Sequence, residues 1–141
     1  YDQIVEFGPG IGEVCRIVTD LGFKGDYYLY DLPEVLKIST YYNSTAKGVT
    51  HYSQIDPSTQ TLFISTWGLS EVPFELREEV VRHFNSADYL IIFQRQAFEY
   101  DNTPWFMMKF PELINNRNVK IQDIQFLSHI AGGNYYLYTE S

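Results

Sequence analysis

The stretch YDQIVEFGPGIG, from Tyr1 to Gly12, decides the fold of this chain. Ile4, Val5 and Phe7 are typical of a short buried strand, and the glycines and proline of residues 8–12 then break it before a helical pattern begins. Glycine has no Cβ, so a ligand can come close to the backbone, and the following helix points unpaired N–H groups and a partial positive charge at that ligand. The stretch therefore predicts a strand, a tight turn and a helix around a nucleotide-sized site.

The spacing of these glycines separates two classes of ligand. Dinucleotide-binding enzymes prefer G-x-G-x-x-G, with a pyrophosphate on the helix N-terminus. This chain has G-x-G-x-G and places Glu13 where the third glycine of that pattern would stand. The carboxylates of Glu13 and of Glu6, at the end of the strand, would repel a pyrophosphate but suit a ligand that carries a cation. A tight turn that binds no ligand is the alternative interpretation.

The composition indicates one globular domain over residues 1–141. Hydrophobic residues make up 45% of the chain and charged residues 20%, which is enough for a core. The net charge of −8 argues against a nucleic acid or an anionic membrane as the main partner. The single Cys15 cannot form an internal disulfide, which favours a reducing compartment, and we expect a cytoplasmic location.

Neither a signal peptide nor an apolar run long enough to cross a bilayer is recognisable in the sequence. The chain enters a core strand almost directly at Tyr1, without an initiator Met. We therefore expect it to be the core of a longer protein.

Alternating strand and helix patterns follow the glycine turn. We predict helices over Glu13–Leu21, Pro33–Tyr42 and Ser70–Phe84, and a short helix from Thr103 that Pro111 interrupts. The later strands are predicted at Asp26–Asp31, Val49–Tyr52, Thr61–Ser65, Ala87–Phe93, Val119–Leu127 and Asn134–Thr139. A short connection joins the last two, so the final strand is expected to run antiparallel to its neighbour. This order predicts an α/β fold with a mainly parallel seven-stranded sheet and helices on both faces.

Polar residues and glycines recur where the predicted strands end. Ligands of open α/β sheets bind beyond the carboxyl ends of the strands, where the strand order reverses. Six residues fall at such ends: Glu6, Gly8, Asp31, Gln54, Ser65 and Gln94. Asp31 could accept hydrogen bonds from both ribose hydroxyls of an adenosine, as in dinucleotide folds, and an exposed helix cap is the alternative. The recurrence predicts one shared pocket.

Three features together resemble the class I S-adenosylmethionine (SAM) methyltransferases: E-x-G-x-G-x-G at residues 6–12, the terminal acid of DYYLYD at residues 26–31, and the closing hairpin. The resemblance covers essentially all 141 residues. More narrowly, YLYDLPEV at 28–35 and FISTWGLSEVPFELREEVV at 63–81 look like sugar O-methyltransferases of bacterial polysaccharide pathways. The resemblance implies a Rossmann-like methyltransferase fold, SAM as cofactor, and transfer of a methyl group to a hydroxyl of a small molecule, with a sugar as the expected acceptor.

The resemblance also implies which residues hold the cofactor. The ammonium and sulfonium of SAM fit acidic neighbours, and residues after the third strand are expected to bracket the adenine, Ile55 by packing and Gln54 or Asp56 by meeting its amino group. The expected cofactor-binding residues are Glu6, Gly8, Pro9, Gly10, Gly12, Asp31, Leu32, Gln54, Ile55, Ser65 and Thr66. Ser65 and Thr66 stand where many class I enzymes carry Asp or Asn, so we do not expect a divalent metal and assign no metal ligands.

A general base is needed because a hydroxyl is a poor nucleophile until it loses its proton. His129 is the first candidate, because its loop joins the last two strands at the ligand-facing edge and histidine titrates near neutral pH. A surface histidine without a catalytic role is the alternative. Glu71 and Asp101 are the other candidates, although a first-turn acid such as Glu71 is also favoured by the helix dipole alone.

Acceptor contacts are expected from Trp67, Arg95 and Gln96, and residues 98–103 form a polar loop that could lie over the site. Trp67 is equally well explained as part of the core. Arg95 is equally well explained by a salt bridge with Glu99 or Asp101.

Two rival functions share parts of this pattern. A nicotinamide-dependent oxidoreductase would share the strand, the glycine turn and Asp31, but no lysine of this chain has a tyrosine four residues before it, as short-chain reductases require. A non-catalytic, methyltransferase-like module for binding or assembly is the second rival. A phosphate-loop lysine, a zinc-protease helix and a cysteine pair are all missing from the sequence.

Overall fold

One sheet organises the computed structural model, which describes residues 1–125 and 133–140. The strands, in chain order, are β1 (Gln3–Phe7), β2 (Asp26–Tyr30), β3 (Lys47–Val49), β4 (Thr61–Thr66), β5 (Asp88–Gln94), β6 (Gln96–Ala97), β7 (Tyr100–Asp101), β8 (Val119–Asp123) and β9 (Asn134–Thr139). Seven of them form the main sheet, in the order β3-β2-β1-β4-β5-β9-β8, and β6 and β7 form a separate small hairpin.

Strands β1 to β5 run parallel to one another, and β9 runs antiparallel to both of its neighbours, β5 and β8. This confirms the predicted mainly parallel seven-stranded sheet with an antiparallel last strand. The strand order reverses between β1 and β4, which is where open α/β sheets bind ligands. β8 ends at Asp123, and residues 126 and 127 of the predicted strand lie outside the described residues.

The helices are α1 (Glu13–Asp20), α2 (Pro33–Tyr42), α3 (Phe74–His83), α4 (Asn102–Pro104) and α5 (Phe110–Leu113). A π-helical turn over Trp105–Lys109 joins α4 to α5, and short 3₁₀ turns occupy Tyr52–Gln54 and Gly68–Glu71.

Helices cover both faces of the sheet. On one face, Cys15 of α1 and Leu36 of α2 pack with Ile4, Leu29 and Ile64 of the strands. On the other face, α3 and the segment from α4 to α5 bury a larger cluster in which aromatic rings predominate. In that cluster the rings of Phe93 and Phe106 stack with centroids 4.1 Å apart. Much of the high aromatic content is therefore core.

The third strand ends earlier than predicted, at Val49 instead of Tyr52. The Gln54 side chain accepts hydrogen bonds from the backbone N–H groups of Thr50 and His51, both at 2.9 Å, and so turns the chain out of the sheet. His51 therefore caps a 3₁₀ turn and does not lie inside a strand.

Two proline-containing segments also differ from the sequence prediction. The helix expected from Ser70 begins at Phe74, directly after Pro73, and the preceding residues Gly68–Glu71 form a 3₁₀ turn. Pro111 does not interrupt the last helical segment. It lies in the first turn of α5, directly after the π-helical turn.

Candidate functional site

A cavity of about 550 Å³ opens at the carboxyl ends of β1, β2 and β4. It lies where the strand order reverses. Of the six strand-end residues predicted to share one pocket, Gly8 and Asp31 line this cavity, and Glu6, Gln54, Ser65 and Gln94 do not. Its walls come from the glycine turn, the start of α2, the turn after β4 and the β6–β7 hairpin. The lining residues are Phe7, Gly8, Gly10, Tyr30, Asp31, Leu32, Val35, Thr50, Thr66, Gly68, Glu71, Val72, Leu76 and Phe98.

The floor of the cavity is formed by two backbones in close contact. A Cβ added to Gly8 would lie 2.9 Å from the Cα of Gly68, so side chains on either residue would separate the loops after β1 and β4. Gly10, at φ +56°, is different: a Cβ added there meets nothing within 4 Å and would project into open space. Gly10 therefore leaves room for a ligand against the backbone, and Gly8 and Gly68 bring the two loops together.

Asp31 lies at the end of β2 and lines the same cavity. Its Oδ1 accepts a hydrogen bond from the backbone N–H of Leu32 at 2.7 Å, which fixes the carboxylate at the start of α2. Its Oδ2 has no hydrogen-bond partner among the residues that the structure describes. The helix-cap interpretation is not borne out, because the N-cap of α2 is Leu32 and the helix has no side-chain capping hydrogen bond. Asp31 instead lines the cavity with an acceptor oxygen available.

Glu6 is buried, with 1% of its surface exposed, and does not line the cavity. Alternate residues of a strand share a face, so Glu6 points with Ile4 toward α1. Its Oε2 accepts a hydrogen bond from the Tyr27 hydroxyl at 2.7 Å, and its Oε1 has no partner among the described residues. Burial raises the pKa of Glu6 from 4.5 to about 7, and the hydrogen bond from the Tyr27 hydroxyl opposes this rise without cancelling it.

Neither Glu6 nor Glu13 lines the cavity, so the prediction that both carboxylates flank a cationic ligand is wrong. Glu6 faces a helix instead of the ligand side, and Glu13 is exposed and paired with Arg16 at 2.7 Å. The acidic groups that reach the cavity are Asp31 and Glu71.

Two other residues of the glycine turn support the backbone instead of lining the cavity. The Gly12 carbonyl accepts a hydrogen bond from the Asn43 side chain at 3.1 Å, which ties the turn to the end of α2. Pro9 is buried, and its carbonyl accepts the Gly12 N–H at 2.9 Å.

The residues expected to bracket an adenine are not brought to the cavity. Ile55 is 1% exposed and belongs to the core cluster under α3. The side-chain oxygen of Gln54 accepts backbone hydrogen bonds in the turn after β3. The Oδ1 of Asp56 accepts a hydrogen bond from the backbone N–H of Ser58 at 2.9 Å. Thr50, which follows β3, lines the cavity in their place.

Ser65 and Thr66 have different surroundings, because adjacent strand residues face opposite sides. The Ser65 hydroxyl is buried, donates to the Phe7 carbonyl at 3.1 Å and accepts the Leu69 N–H at 2.9 Å. It is fully engaged between β1 and the turn after β4. Thr66 is half-buried and lines the cavity.

The candidate catalytic and acceptor residues are dispersed. Glu71 lines the cavity, Asp101 lines a separate surface depression beside α4, and His129 lies outside the described residues. Trp67 is half-buried, and its Nε1–H donates to Asn134 Oδ1 at 3.0 Å.

Arg95 and Gln96 are exposed near the base of the β6–β7 hairpin and do not line the cavity. The Gln96 side chain donates to the Phe98 carbonyl at 3.1 Å, across the turn of that hairpin. Within the described part of the chain, Arg95 forms no ion pair with Glu99 or Asp101, the two partners considered for it from the sequence.

Several apolar residues line the cavity that the sequence does not predict as site residues. Val35 and Leu76 belong to the first turns of α2 and α3, and Val72 precedes α3. Apolar residues in first turns are ordinary core candidates, so no local signal distinguishes them. Gly68 could have been found, because a glycine directly after a buried strand is the same signal as in the first turn. Phe98 falls in the loop expected over the site, but nothing in the sequence singles it out.

A larger cavity of about 760 Å³ lies over β4, β5 and β9, on the face of the sheet that α1 covers. Its lining is largely apolar and includes Thr66 but no residue of the glycine turn; its residues are Val14, Ile64, Thr66, Leu90, Ile92, Asp123, Ile124, Gln125 and Tyr136. Because the smaller cavity holds the glycine turn and two acidic side chains, we assign the candidate site to the smaller one.

Solved methyltransferase structures share this architecture. The methyltransferase domain of bacterial CtHen1 superposes with a TM-score of 0.73 at 11% identity, over 99% of this chain and 90% of that one. Magnesium protoporphyrin IX methyltransferase from Synechocystis PCC 6803, solved with bound SAM, matches with a TM-score of 0.64 at 13% identity, over 98% of this chain and 69% of that one. Human N-acetylserotonin methyltransferase, in complex with SAM, matches with a TM-score of 0.59 at 12% identity, over 99% of this chain and 48% of that one.

These likenesses show that the chain has the class I SAM-dependent methyltransferase fold. It spans about half the length, or less, of several of the proteins it matches. Neither a protein-family model nor a curated protein matches the sequence. Among the described residues, no helix is both long and apolar enough to cross a membrane.

Proposed function

We propose that this domain binds SAM in the 550 Å³ cavity and transfers its methyl group to a hydroxyl of a small molecule. The observation that carries the proposal is that the glycine turn, Asp31 and Glu71 line one cavity at the reversal of strand order. Solved neighbours of the same fold hold SAM, which supports the choice of cofactor.

The residues that line the cavity fit SAM. The space above Gly10 admits a ligand against the backbone, and the Oδ2 of Asp31 can accept from a ribose hydroxyl. The apolar side chains of Leu32, Val35 and Val72 suit the faces of a purine base. SAM supplies a methyl group that its sulfonium has already activated.

The chain's own residues then have two tasks. The first is to bind and orient, because positioning alone can contribute much of the rate of such a transfer. The second is to remove the proton of the acceptor hydroxyl, for which the Glu71 carboxylate lies at the cavity wall. His129, outside the described residues, is kept as a second candidate base.

The acceptor class is proposed from the sequence. The stretches at residues 28–35 and 63–81 resemble sugar O-methyltransferases, and the second stretch includes Glu71. The net charge of −8 supports a small neutral acceptor over a nucleic acid. We therefore propose a sugar hydroxyl as the acceptor to test first.

Cofactor binding is tested by calorimetric titration with S-adenosylhomocysteine, with NADH in parallel. We expect micromolar binding of S-adenosylhomocysteine alone, lost in Asp31→Ala. Asp26→Ala is the matched control, because it removes an exposed acid from the other end of the same strand. Binding of NADH instead would favour an oxidoreductase, and binding of neither would overturn the proposal.

Transfer itself is tested by release of S-adenosylhomocysteine from SAM in the presence of a panel of free and nucleotide-linked sugars. With an active acceptor, Glu71→Gln should lower the rate by about 10²–10⁴-fold. Glu75→Gln should not, because Glu75 is an exposed acid in the first turn of α3 that does not line the cavity. If Glu71→Gln keeps full turnover and His129→Gln loses it, the base is His129. Cofactor binding without turnover on any acceptor would favour a non-catalytic module.

A further inference from the structure

Phe98 is a large apolar side chain that is 75% exposed and yet lines the candidate cavity. It stands at the turn of the β6–β7 hairpin, which rises from the end of β5. Its backbone has φ +52°, in the left-handed region that residues with a side chain seldom adopt. The positive φ suits the two-residue loop of the hairpin, since Ala97 pairs with Tyr100. The exposed ring is what the hairpin does not explain, because a large apolar side chain in water does not stabilise the free protein.

The hairpin holds this conformation by specific contacts. Gln96 donates through Nε2 to the Phe98 carbonyl at 3.1 Å, which closes the turn. At the base, Asn102 donates from its backbone N–H to the Arg95 carbonyl at 2.9 Å and from its side chain to the Gln94 carbonyl at 2.8 Å. Phe98 is thus carried on a turn that is tied at its tip and at its base.

The flank of the hairpin is anchored to α3. The rings of Tyr100 and Phe74 meet edge to face with centroids 5.3 Å apart, and the buried Arg77 guanidinium lies 5.1 Å from the Tyr100 ring centroid. These contacts lean the hairpin over the start of α3, where Val72 and Leu76 form the apolar wall of the cavity. The β6–β7 hairpin is therefore held in place beside the cavity by its own contacts.

We infer that Phe98 contacts the purine base of the bound cofactor and closes the apolar end of the cavity over it. This inference rests on the proposed function. The cavity that Phe98 lines also carries four apolar side chains, Val72 and Leu76 from the start of α3 and Leu32 and Val35 from the start of α2. A flat aromatic base is the part of SAM that such surfaces and a phenyl ring would bind, since every base has a π-face that an aromatic side chain can stack on.

The test is calorimetric titration of Phe98→Ala and Phe98→Tyr with two probes, S-adenosylhomocysteine and 5′-methylthioadenosine. The second probe keeps the base and ribose but lacks the amino-acid part. We expect Phe98→Ala to weaken both probes by the same factor, about tenfold, and Phe98→Tyr to bind both like the unmodified chain. Leu21→Ala is the control, because Leu21 is 82% exposed and does not line the cavity.

The thermal midpoint provides the second readout. The Phe98 ring is exposed, and alanine meets the same cost as phenylalanine at a positive φ. Phe98→Ala should therefore change the midpoint by no more than about 1 °C, and weaker binding would not reflect unfolding. Unchanged binding of both probes, or weakening of S-adenosylhomocysteine alone, would overturn the base contact while leaving the proposed function intact. If the unmodified chain binds neither probe, the proposed function and this inference both fail.

Discussion

The guanidinium of Arg77 donates from Nη1 to the Oδ1 of Asn102 at 2.7 Å, and this bond joins α3 to the start of α4 beneath the hairpin. The same group donates to the carbonyls of Ser70 and Val72, both at 2.8 Å. It is fully buried, and no carboxylate among residues 1–125 and 133–140 pairs with it. Burial lowers its pKa to about 10, so it stays charged at neutral pH. One cation thus holds the backbone carbonyls on either side of Glu71.

Arg77→Met should therefore destabilise the protein. The substitution leaves three buried oxygens without their donor. This penalty is larger than the gain from no longer burying a charge, so we expect a loss of about 2 kcal/mol in the free energy of unfolding. Arg77→Lys should recover little, because an ammonium cannot reach three acceptors as a planar fork does. Urea unfolding measures both.

Arg82→Met is the control for Arg77, because Arg82 lies on the same helix and is exposed, with an i,i+4 pair to Glu78 at 3.3 Å. Its loss should cost no more than about 0.5 kcal/mol. Equal effects of the two substitutions would contradict the role given to Arg77.

Gly10→Ala should reduce cofactor binding far more than stability. The added methyl group meets no protein atom within 4 Å, and it occupies the space where the ligand would approach the backbone. Gly22→Ala is the matched control, since Gly22 also has a positive φ with open space above it but does not line the cavity. Both should lose about 1 kcal/mol of stability from backbone strain.

Calorimetric titration with S-adenosylhomocysteine separates the two glycine variants. Only Gly10→Ala should bind weakly. Normal binding by Gly10→Ala would show that the ligand does not lie against this turn.

The stability of the protein should fall as the pH rises from about 4.5 to 7. Glu6 is the cause, because burial raises its pKa from 4.5 to about 7 and the folded state therefore holds a proton that the unfolded chain releases. The contribution is complete below pH 4.5 and is lost as the pH passes 7. It amounts to about 3 kcal/mol, at roughly 1.4 kcal/mol for each unit of pKa.

Glu6→Gln should remove this part of the pH dependence, because the amide does not titrate. Glu13→Gln, an exposed acid on the first turn of α1, should keep it. Urea unfolding at several pH values between 4.5 and 8 measures the three proteins. A slope that is the same in Glu6→Gln and in the unmodified chain would contradict the assignment.

Ser65→Ala should cost about 1–2 kcal/mol of stability. The buried hydroxyl bridges the Phe7 carbonyl and the Leu69 N–H, and an alanine would leave both without this partner. Ser44→Ala, at an exposed position, should be neutral. Chemical unfolding distinguishes the two, and a neutral Ser65→Ala would mean that the bridge contributes nothing to folding.

Local pattern was enough for the elements that surround the site. The apolar residues of β1, the glycines after it and the amphipathic α1 lie within 20 residues, and each acts through its own backbone preference or burial. Asp31 was identified for the same reason, since it directly ends a strand and precedes a proline that starts a helix. The antiparallel ending followed from a short connection.

The sequence by itself therefore determined the sheet, its glycine turn and the acid at the end of β2, because these depend on neighbouring residues. Only the tertiary structure decided which side chains face the cavity. Glu6 is buried because α1 packs over the sheet face on which Ile4 and Glu6 lie, and Gly8 meets Gly68 across 60 positions of sequence. Phe98 reaches the cavity because Arg77, Tyr100 and Asn102 hold its hairpin. Such contacts arise from packing between distant segments, which no local pattern encodes.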